Sequence, residues 1–308
     1  MSALESTGAE TAFDHDVVVV GGGPAGCAAG VFTARSGLDT AIFDRGRSSI
    51  QRCAYLENYL GFPAGIDIET LYGLMHDHAE TAGCEIVPDL VESLERVESG
   101  EGFVVTPQEG ESVTARRVVA ATRYDGEYMR GLDDEAAMFE THDHDGEEHE
   151  HFDKSYAESD GRTPVDDLFI ASPYGDTGYQ ASMAAGHGTR VGITLVEDVR
   201  RERGLPEPLA NHYDWMRRER ELDDEWRDRS RWREYVDTQL PDDHDLEEAR
   251  LEEIREQEID RRLATYLSDD EIERRIEHGH RRLLEHIEDE LILEAAREID
   301  AEREMGGE

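Results

Sequence analysis

Residues 16–44 read DVVVVGGGPAGCAAGVFTARSGLDTAIFD, and this stretch decides the fold. Val17–Val20 is a continuous apolar run of strand length without polar alternation, the pattern of a parallel strand buried on both faces. At Gly21 the period changes from continuous to helical over an alanine-rich segment, and a second short apolar strand follows. Gly21, Gly23 and Gly26 make GxGxxG directly after the strand, with Gly30 one helical turn further on. Each glycine has a mechanical reason: Gly21 permits the tight turn, Gly23 lets a pyrophosphate approach backbone N–H groups, and Gly26 lets strand and helix pack closely. The helix N-terminus, entered through Pro24 and Ala25, then faces the anion. Asp44, 23 residues after Gly21 at the end of the second strand, supplies a carboxylate for an adenosine ribose. The glycine motif by itself does not separate FAD from NAD, and a vestigial cradle that binds nothing is the structural alternative.

Working outward, residues 66–82 are expected to be helical, with Ile68, Leu71, Leu74, Met75 and Ala79 on one broad apolar face. Residues 85–121 alternate short strands and turns, as in a small antiparallel meander that returns the chain to the parallel sheet. Another buried strand is expected at DLFIAS from Asp167, followed by a glycine-bearing loop and a helix from about Tyr179 to Val196. Between them, residues 133–162 hold THDHDGEEHEHFD and SYAESDGRT, a composition read as a surface excursion that builds no core. Beyond residue 200, three helical segments are expected at about 208–237, 243–267 and 269–301. Ser268 with Glu271 forms a capping box between the last two, and Ile272, Ile276, Leu283, Ile287, Leu291 and Ala295 make one apolar stripe suited to packing. The expected organisation is a flexible 1–13, an α/β Rossmann-like domain at 14–200 with a parallel sheet and antiparallel meander, and an acidic α-helical C-terminal extension at 201–308.

The 308 residues carry 74 Asp plus Glu against 32 Lys plus Arg, a formal net charge of −42, and Lys154 is the sole lysine. Such a charge argues against a nucleic-acid partner. No run of about 20 apolar residues exists to span a membrane, and the first residues lack the basic start and apolar core of a signal peptide. These features imply a soluble, cytoplasmic protein. Near-elimination of lysine within an acidic excess reads as a halophilic adaptation to molar salt, where the Debye length falls to about 3 Å. The same composition favours mobility in the first dozen residues and in 140–162. Cys27, Cys53 and Cys84 are too scattered for a disulfide framework or a CxxC redox centre. His142, His144, His149 and His151, among many carboxylates, have the donor types for zinc, nickel or copper, but their spacing fixes no geometry, so the segment is read as a solvated acidic loop and no metal is assigned.

Three segments together resemble the FAD-dependent pyridine nucleotide–disulfide oxidoreductases, in particular the FAD domain of low-molecular-weight thioredoxin reductases. They are GGGPAG at 21–26, ENYLGFPAGIDIETLYGLMHDHAETAGCEI at 57–86, and DDLFIASPYGDTGYQASMAAGHGTRVG at 166–192. The resemblance implies FAD as cofactor, held by Gly21, Gly23, Pro24, Ala25, Gly26 and Asp44. It brings Asn58 near the flavin, places Gln180 beside the closing strand, and points the helix from Ala181 at the isoalloxazine. Asn58 and Gln180 each retain a second reading, as caps of a turn and a helix. The chain also departs from the family's pattern. No second GxGxxG domain and no CxxC lie between the FAD segments, so a separate NADPH site and direct thioredoxin reduction by that family's chemistry are not expected. Where relatives have Ala-Gly-Asp this chain has Ala171-Ser172-Pro173, with Asp176 as the substitute carboxylate, and the usual Ala-Thr-Gly is Ala121-Thr122-Arg123. Arg123 is open to two readings, a phosphate or acidic-substrate contact and a surface salt bridge. Cys53, flanked by Arg47 and Arg52, is read as a packed thiol before a redox one.

The function implied is flavin-mediated electron or hydride transfer on an unidentified small substrate, with NAD(P)H or a separate electron-carrier protein as donor. A noncatalytic nucleotide-binding or regulatory protein, and a homodimeric scaffold joined through the C-terminal helices, are the alternatives. No acid–base pair is identified; His187 and Tyr179, near the closing helix, are generic candidates.

Overall fold

The computed structural model describes residues 13–98, 100–123, 126–144, 147–172, 180–240 and 247–306, with 142–144, 147–149 and 306 as backbone only. The chain divides into two compact units, Met1–Val196 and Glu197–Glu308.

In the first unit, β1 (His15–Val20) leads into α1 (Pro24–Arg35), and β2 (Thr40–Phe43) returns parallel to β1, pairing Val17 with Thr40 through Val20 with Phe43. A short hairpin of β3 (Tyr55–Leu56) and β4 (Ile66–Asp67) then delivers the chain to α2 (Ile68–Ala82). The Asp67 side chain accepts from the Thr70 N–H at 2.8 Å to start α2, and Gly83 ends it at φ 109°. β5 (Glu85–Val87) adds to the outer edge of β2 in parallel. The meander proper is β6 (Val91–Arg96), β7 (Phe103–Pro107) and β8 (Val113–Ala121), antiparallel throughout. Glu85–Val87 thus belongs to the parallel sheet instead of the meander expected to begin there, because Ile86 pairs with Ile42.

At nine residues, β8 serves two neighbourhoods. Its first half pairs with β7, and its length runs parallel to β1, from Ala115 opposite His15 to Ala120 opposite Val20. α3 (Glu135–Met138) follows, then the hairpin of β9 (Phe139–His144) and β10 (Glu147–Phe152), and β11 (Leu168–Ser172) closes the sheet parallel to the second half of β8. The strand order is β5-β2-β1-β8-β7-β6, with β11 also on β8. Valines at alternate positions of β1 serve opposite faces: Val18 and Val20 join the cluster with Leu94, Phe103 and Ile170, and Val19 lies under α1, where Gly26 sits.

The acidic hairpin corrects an expectation. Its flanks do enter the core: Met138, Phe139, Phe152, Tyr156 and Ala157 are all buried. Phe139 pairs with Phe152 across the strands, the rings edge-to-face at 5.8 Å, and Arg130 lies 4.0 Å over the Phe139 ring. Only the hairpin's middle has the composition of a solvated loop. The first dozen residues, with their expected mobility, lie outside the described residues.

α4 (Ala181–Glu202) spans the end of the first unit and the start of the second. The second unit continues with α5 (Glu207–Ala210), β12 (Arg217–Arg218), α6 (Asp224–Arg227), α7 (Arg229–Thr238), α8 (Glu248–Leu263), β13 (Tyr266–Leu267), α9 (Asp269–Leu284) and α10 (Asp289–Gly306). The single helix expected at 208–237 is therefore three short ones. Pro206 begins α5, and Asp228 interrupts the run as the cap of α7, its side chain accepting from the Ser230 N–H at 2.9 Å. Leu209, Trp232, Val236 and Ile259 form the core of this unit, with Trp226 4.6 Å from Trp232. Ser268 caps α9 as expected by accepting from the Glu271 N–H at 3.2 Å, but the Glu271 carboxylate turns to Arg274 and Arg275 and leaves the box half made. Ile276, Leu283, Ile287 and Leu291 of the stripe are exposed in the single chain, and the chain turns between α9 and α10 where one helix was expected.

Candidate dinucleotide site

The glycine turn joins β1 to α1 with the backbone contacts its residues require. Gly21 has φ 109°, a left-handed conformation, and a Cβ there would lie 2.6 Å from the Ala121 carbonyl oxygen at the end of β8. A Cβ on Gly26 would stand 1.8 Å from the Gly21 carbonyl oxygen, so only glycine allows helix and turn to close on one another. Gly23 is the N-cap of α1, supplies no side-chain cap, and is followed by Pro24 at the first helical position. The leading N–H groups of the helix have no capping side chain and face a cavity of about 490 Å³. Gly21, Gly23, Pro24, Ala25, Asp44, Asn58, Gln180 and Ala181 all line that cavity. Gly26 is buried in α1 and packs against the glycine turn.

Asn58 and Gln180, 122 residues apart, meet directly: Asn58 Nδ2 donates to Gln180 Oε1 at 3.0 Å. This ties the loop after β3 to the start of α4. The close approach of α4 is made by Gly188, where a Cβ would fall 2.0 Å from the Ala25 carbonyl oxygen. The Gly188-x-x-x-Gly192 spacing carried that information in the sequence and was not read.

Asp44 is 7 % exposed and more heavily engaged than a waiting ribose acceptor. Its Oδ1 accepts from the Gly46 N–H at 3.0 Å, and its Oδ2 accepts from the Tyr72 hydroxyl and lies 3.1 Å from His76 Nε2. The same His76 nitrogen is 3.1 Å from the Gly22 carbonyl oxygen. Burial alone would raise the Asp44 pKa, but the hydrogen bonds from His76, Tyr72 and Gly46 outweigh it and hold the carboxyl below its ordinary range. His76 moves up, chiefly through its hydrogen bond to Asp44. A ribose would join an existing network at this carboxylate. Tyr72 and His76, one turn apart on α2, were missed in the sequence because that helix was read for its apolar face alone.

The segment after β2 folds over the glycine turn. Ser48 Oγ sits where a Cβ on Gly23 would come within 2.6 Å, and Ser49 Oγ accepts from Arg123 Nη1 at 2.9 Å. Arg123 stands just past β8 at φ 68° with its N–H donating to the Ser172 carbonyl at 3.1 Å. Arg123 also stands on the cavity wall. Cys53 also lines the cavity and is exposed, against the packed thiol expected; Ile50 is the buried anchor of its short 3-10 turn. Cys27 and Cys84 are buried, and burial pushes each thiol up to about 12. His187 is not on the cavity wall, and burial lowers its pKa. Asp176 and Tyr179 lie outside the described residues, as do the side chains of His142, His144 and His149. Among the described residues, no cluster of three His, Cys, Asp or Glu side chains is placed to hold a metal ion.

The chain is similar to known proteins over part of its length. Residues 15–159 match the family model described as pyridine nucleotide-disulphide oxidoreductase. A thioredoxin reductase from Streptomyces coelicolor is 32% identical over 111 residues, covering 35% of this chain and 34% of that protein. NADPH-dependent thioredoxin reductase 3 from Arabidopsis thaliana is 35% identical over 86 residues, covering 26% of this chain and 16% of the relative. The chain thus spans about a third or less of the length of these curated relatives. Among solved structures, a thioredoxin reductase from Gloeobacter violaceus aligns with a TM-score of 0.49 at 18% identity, covering 66% of this chain and 98% of that one. No helix among the described residues is long and apolar enough to cross a membrane.

Proposed function

We propose, on the premise that residues 15–159 belong to the FAD-dependent pyridine nucleotide–disulphide oxidoreductase superfamily, that the first unit binds FAD and serves flavin-mediated electron or hydride transfer to a small substrate. The observation that carries this reading is the uncapped start of α1, opening on a 490 Å³ cavity whose wall also holds the Asn58–Gln180 pair. Gly21, Gly23, Pro24 and Ala25 would receive the pyrophosphate on backbone N–H groups and the helix dipole. Gly26 allows that geometry without touching the ligand. Asp44, kept ionised by His76, Tyr72 and Gly46, accepts hydrogen bonds from a ribose. Asn58, fixed by Gln180, and the first turn of α4 at Ala181 would contact the ring system, with Asp176 the remaining candidate on the ribityl side. When bound, the flavin supplies the redox chemistry, and the protein contributes position and polarity.

The cysteines at 27, 53 and 84 give no CxxC, which supports a route other than an internal dithiol. The stretch between β8 and β11 holds the β9–β10 hairpin among its described residues, so NAD(P)H or a separate electron carrier would dock from outside. The test is the absorbance spectrum of protein purified in molar salt. Oxidised-flavin bands at roughly 370 and 450 nm are expected, bleached by NAD(P)H or an artificial donor and restored by an acceptor. A colourless protein that takes up no FAD on reconstitution would overturn the reading.

A further inference from the structure

Arg123 occupies a position that glycine fills without strain. Its φ of 68° lies in the left-handed region that non-glycine residues rarely visit, and the residue stands on the wall of the cavity. The side chain is directed by a definite partner, with Nη1 donating to Ser49 Oγ at 2.9 Å. Both ends of this bridge flank the glycine turn. Ala121, two residues before Arg123, presses its carbonyl against Gly21, and Ser48, the neighbour of Ser49, presses its hydroxyl against Gly23. The guanidinium is thereby carried from the end of β8 to the segment that covers the phosphate turn. Charge points the same way. In a chain of net −42, the described residues of the cavity wall include Arg45, Arg47, Arg52 and Arg123 against the acids Asp44 and Asp89, and Asp44 is already engaged by His76 and Tyr72. A locally cationic wall in so acidic a molecule suits a ligand with at least two negative charges.

We propose that Arg123 is a specificity-determining residue that grips the diphosphate of the bound dinucleotide, with Ser49 setting the plane of its guanidinium. A guanidinium fork matches two phosphate oxygens in a way an ammonium does not. The assignment rests on the dinucleotide reading of the cavity and adds to it a side chain that discriminates diphosphate from uncharged ligands.

The test compares wild type, Arg123→Gly, Arg123→Lys and Ser49→Ala in the same high-salt buffer, using calorimetry for FAD and ADP, displacement of ADP for adenosine, and thermal melts without ligand. Arg123→Gly accepts the left-handed backbone, so it is expected to melt at a higher temperature while binding ADP and FAD about 10- to 100-fold more weakly, a loss of roughly 1.4 to 2.7 kcal/mol. Adenosine affinity should stay unchanged. Arg123→Lys should recover only part of the ADP affinity, and Ser49→Ala should fall between wild type and Arg123→Gly. Wild-type ADP binding by Arg123→Gly, or an equal loss of ADP and adenosine, reduces the Arg123–Ser49 contact to a structural strap. If wild type binds neither FAD nor ADP, the dinucleotide reading itself fails; if it binds both and Arg123→Gly is indifferent, only the Arg123 assignment does.

Discussion

A single imidazole connects the Asp44 carboxylate to the glycine turn. His76 Nε2 lies between Asp44 Oδ2 and the Gly22 carbonyl, so its charge state acts on two parts of the site at once. Its pKa is raised above the ordinary 6.5, chiefly by the hydrogen bond to Asp44. A raised histidine contributes stability that is complete below its unfolded value and is lost as pH climbs through its folded value. Asp44 behaves oppositely: its pKa is depressed, so its share is present above the carboxylate range and disappears on acidification. Wild type should therefore lose stability from about pH 6.5 upward, whereas His76→Gln, which keeps a donor without the titration, should be flatter there and about 1 kcal/mol less stable at pH 6. Urea melts at half-unit pH intervals measure this, and parallel profiles for the two proteins would remove His76 from the linkage. None of this was legible in the sequence. The glycines and Asp44 could be named from motif and spacing, and Asn58 and Gln180 from the family resemblance, but the Asp44–Tyr72–His76 contacts arise from the tertiary packing of α2, which no local pattern encodes.

Elements were readable where one force decided them and misread where two competed. β1 and α1 combine a continuous apolar run with a glycine turn, and both signals agree. The 208–237 region has helical composition, yet α5 ends at Ala210 and Asp228 caps a new helix, so local breaks prevail over it. Within the second unit, α8 carries the clearest energetic claim. Glu258 is 2 % exposed and accepts from Arg200, Arg261 and Arg262 at 2.7 to 2.8 Å. Burial would raise its pKa, but Arg261 and Arg200 reverse that and hold it at about 2. Acidic and basic runs in the sequence look like solvated faces, so a buried charge among them leaves no signature in composition. Glu258→Gln would leave partly buried guanidinium groups without their carboxylate, and the expected cost is about 3 kcal/mol. Chemical denaturation followed by tryptophan fluorescence reports it directly, since Trp226 and Trp232 sit in this unit's core. The depressed Glu258 also dictates the sign of the pH dependence: its stabilisation is present above the ordinary carboxylate range and is lost toward pH 2, a loss the variant should lack. A variant as stable as wild type would mean that the arginines find other partners at no cost.

At the scale of the whole molecule the governing quantity is the excess of 74 carboxylates over 32 cationic side chains. Arginines engage many of these acids, as where Arg130 meets Glu127, Glu135 and Glu150, or Arg229 and Arg233 share Glu256. Even a complete pairing would leave 42 negative charges with no counterpart. Two salt effects then oppose one another. Screening weakens exposed ion pairs, each worth about 0 to 1 kcal/mol, and it relieves the mutual repulsion of the surplus carboxylates. With the surplus larger than the number of cations available to pair, relief of repulsion should win. The Glu258 cluster, being buried, should respond little. Raising KCl from 0.1 to 1 M, which shortens the Debye length from about 10 to 3 Å, is therefore expected to increase the melting temperature by several degrees. Sulfate stabilises proteins generally by exclusion from their surface, so chloride, a weakly excluded anion, is the informative choice. A second arm separates screening from exclusion: sucrose at matched osmolality strengthens burial without screening charge and should reproduce little of the gain. A melting temperature that falls with KCl, or a rise that sucrose matches, would show that the surplus charge does not limit this fold.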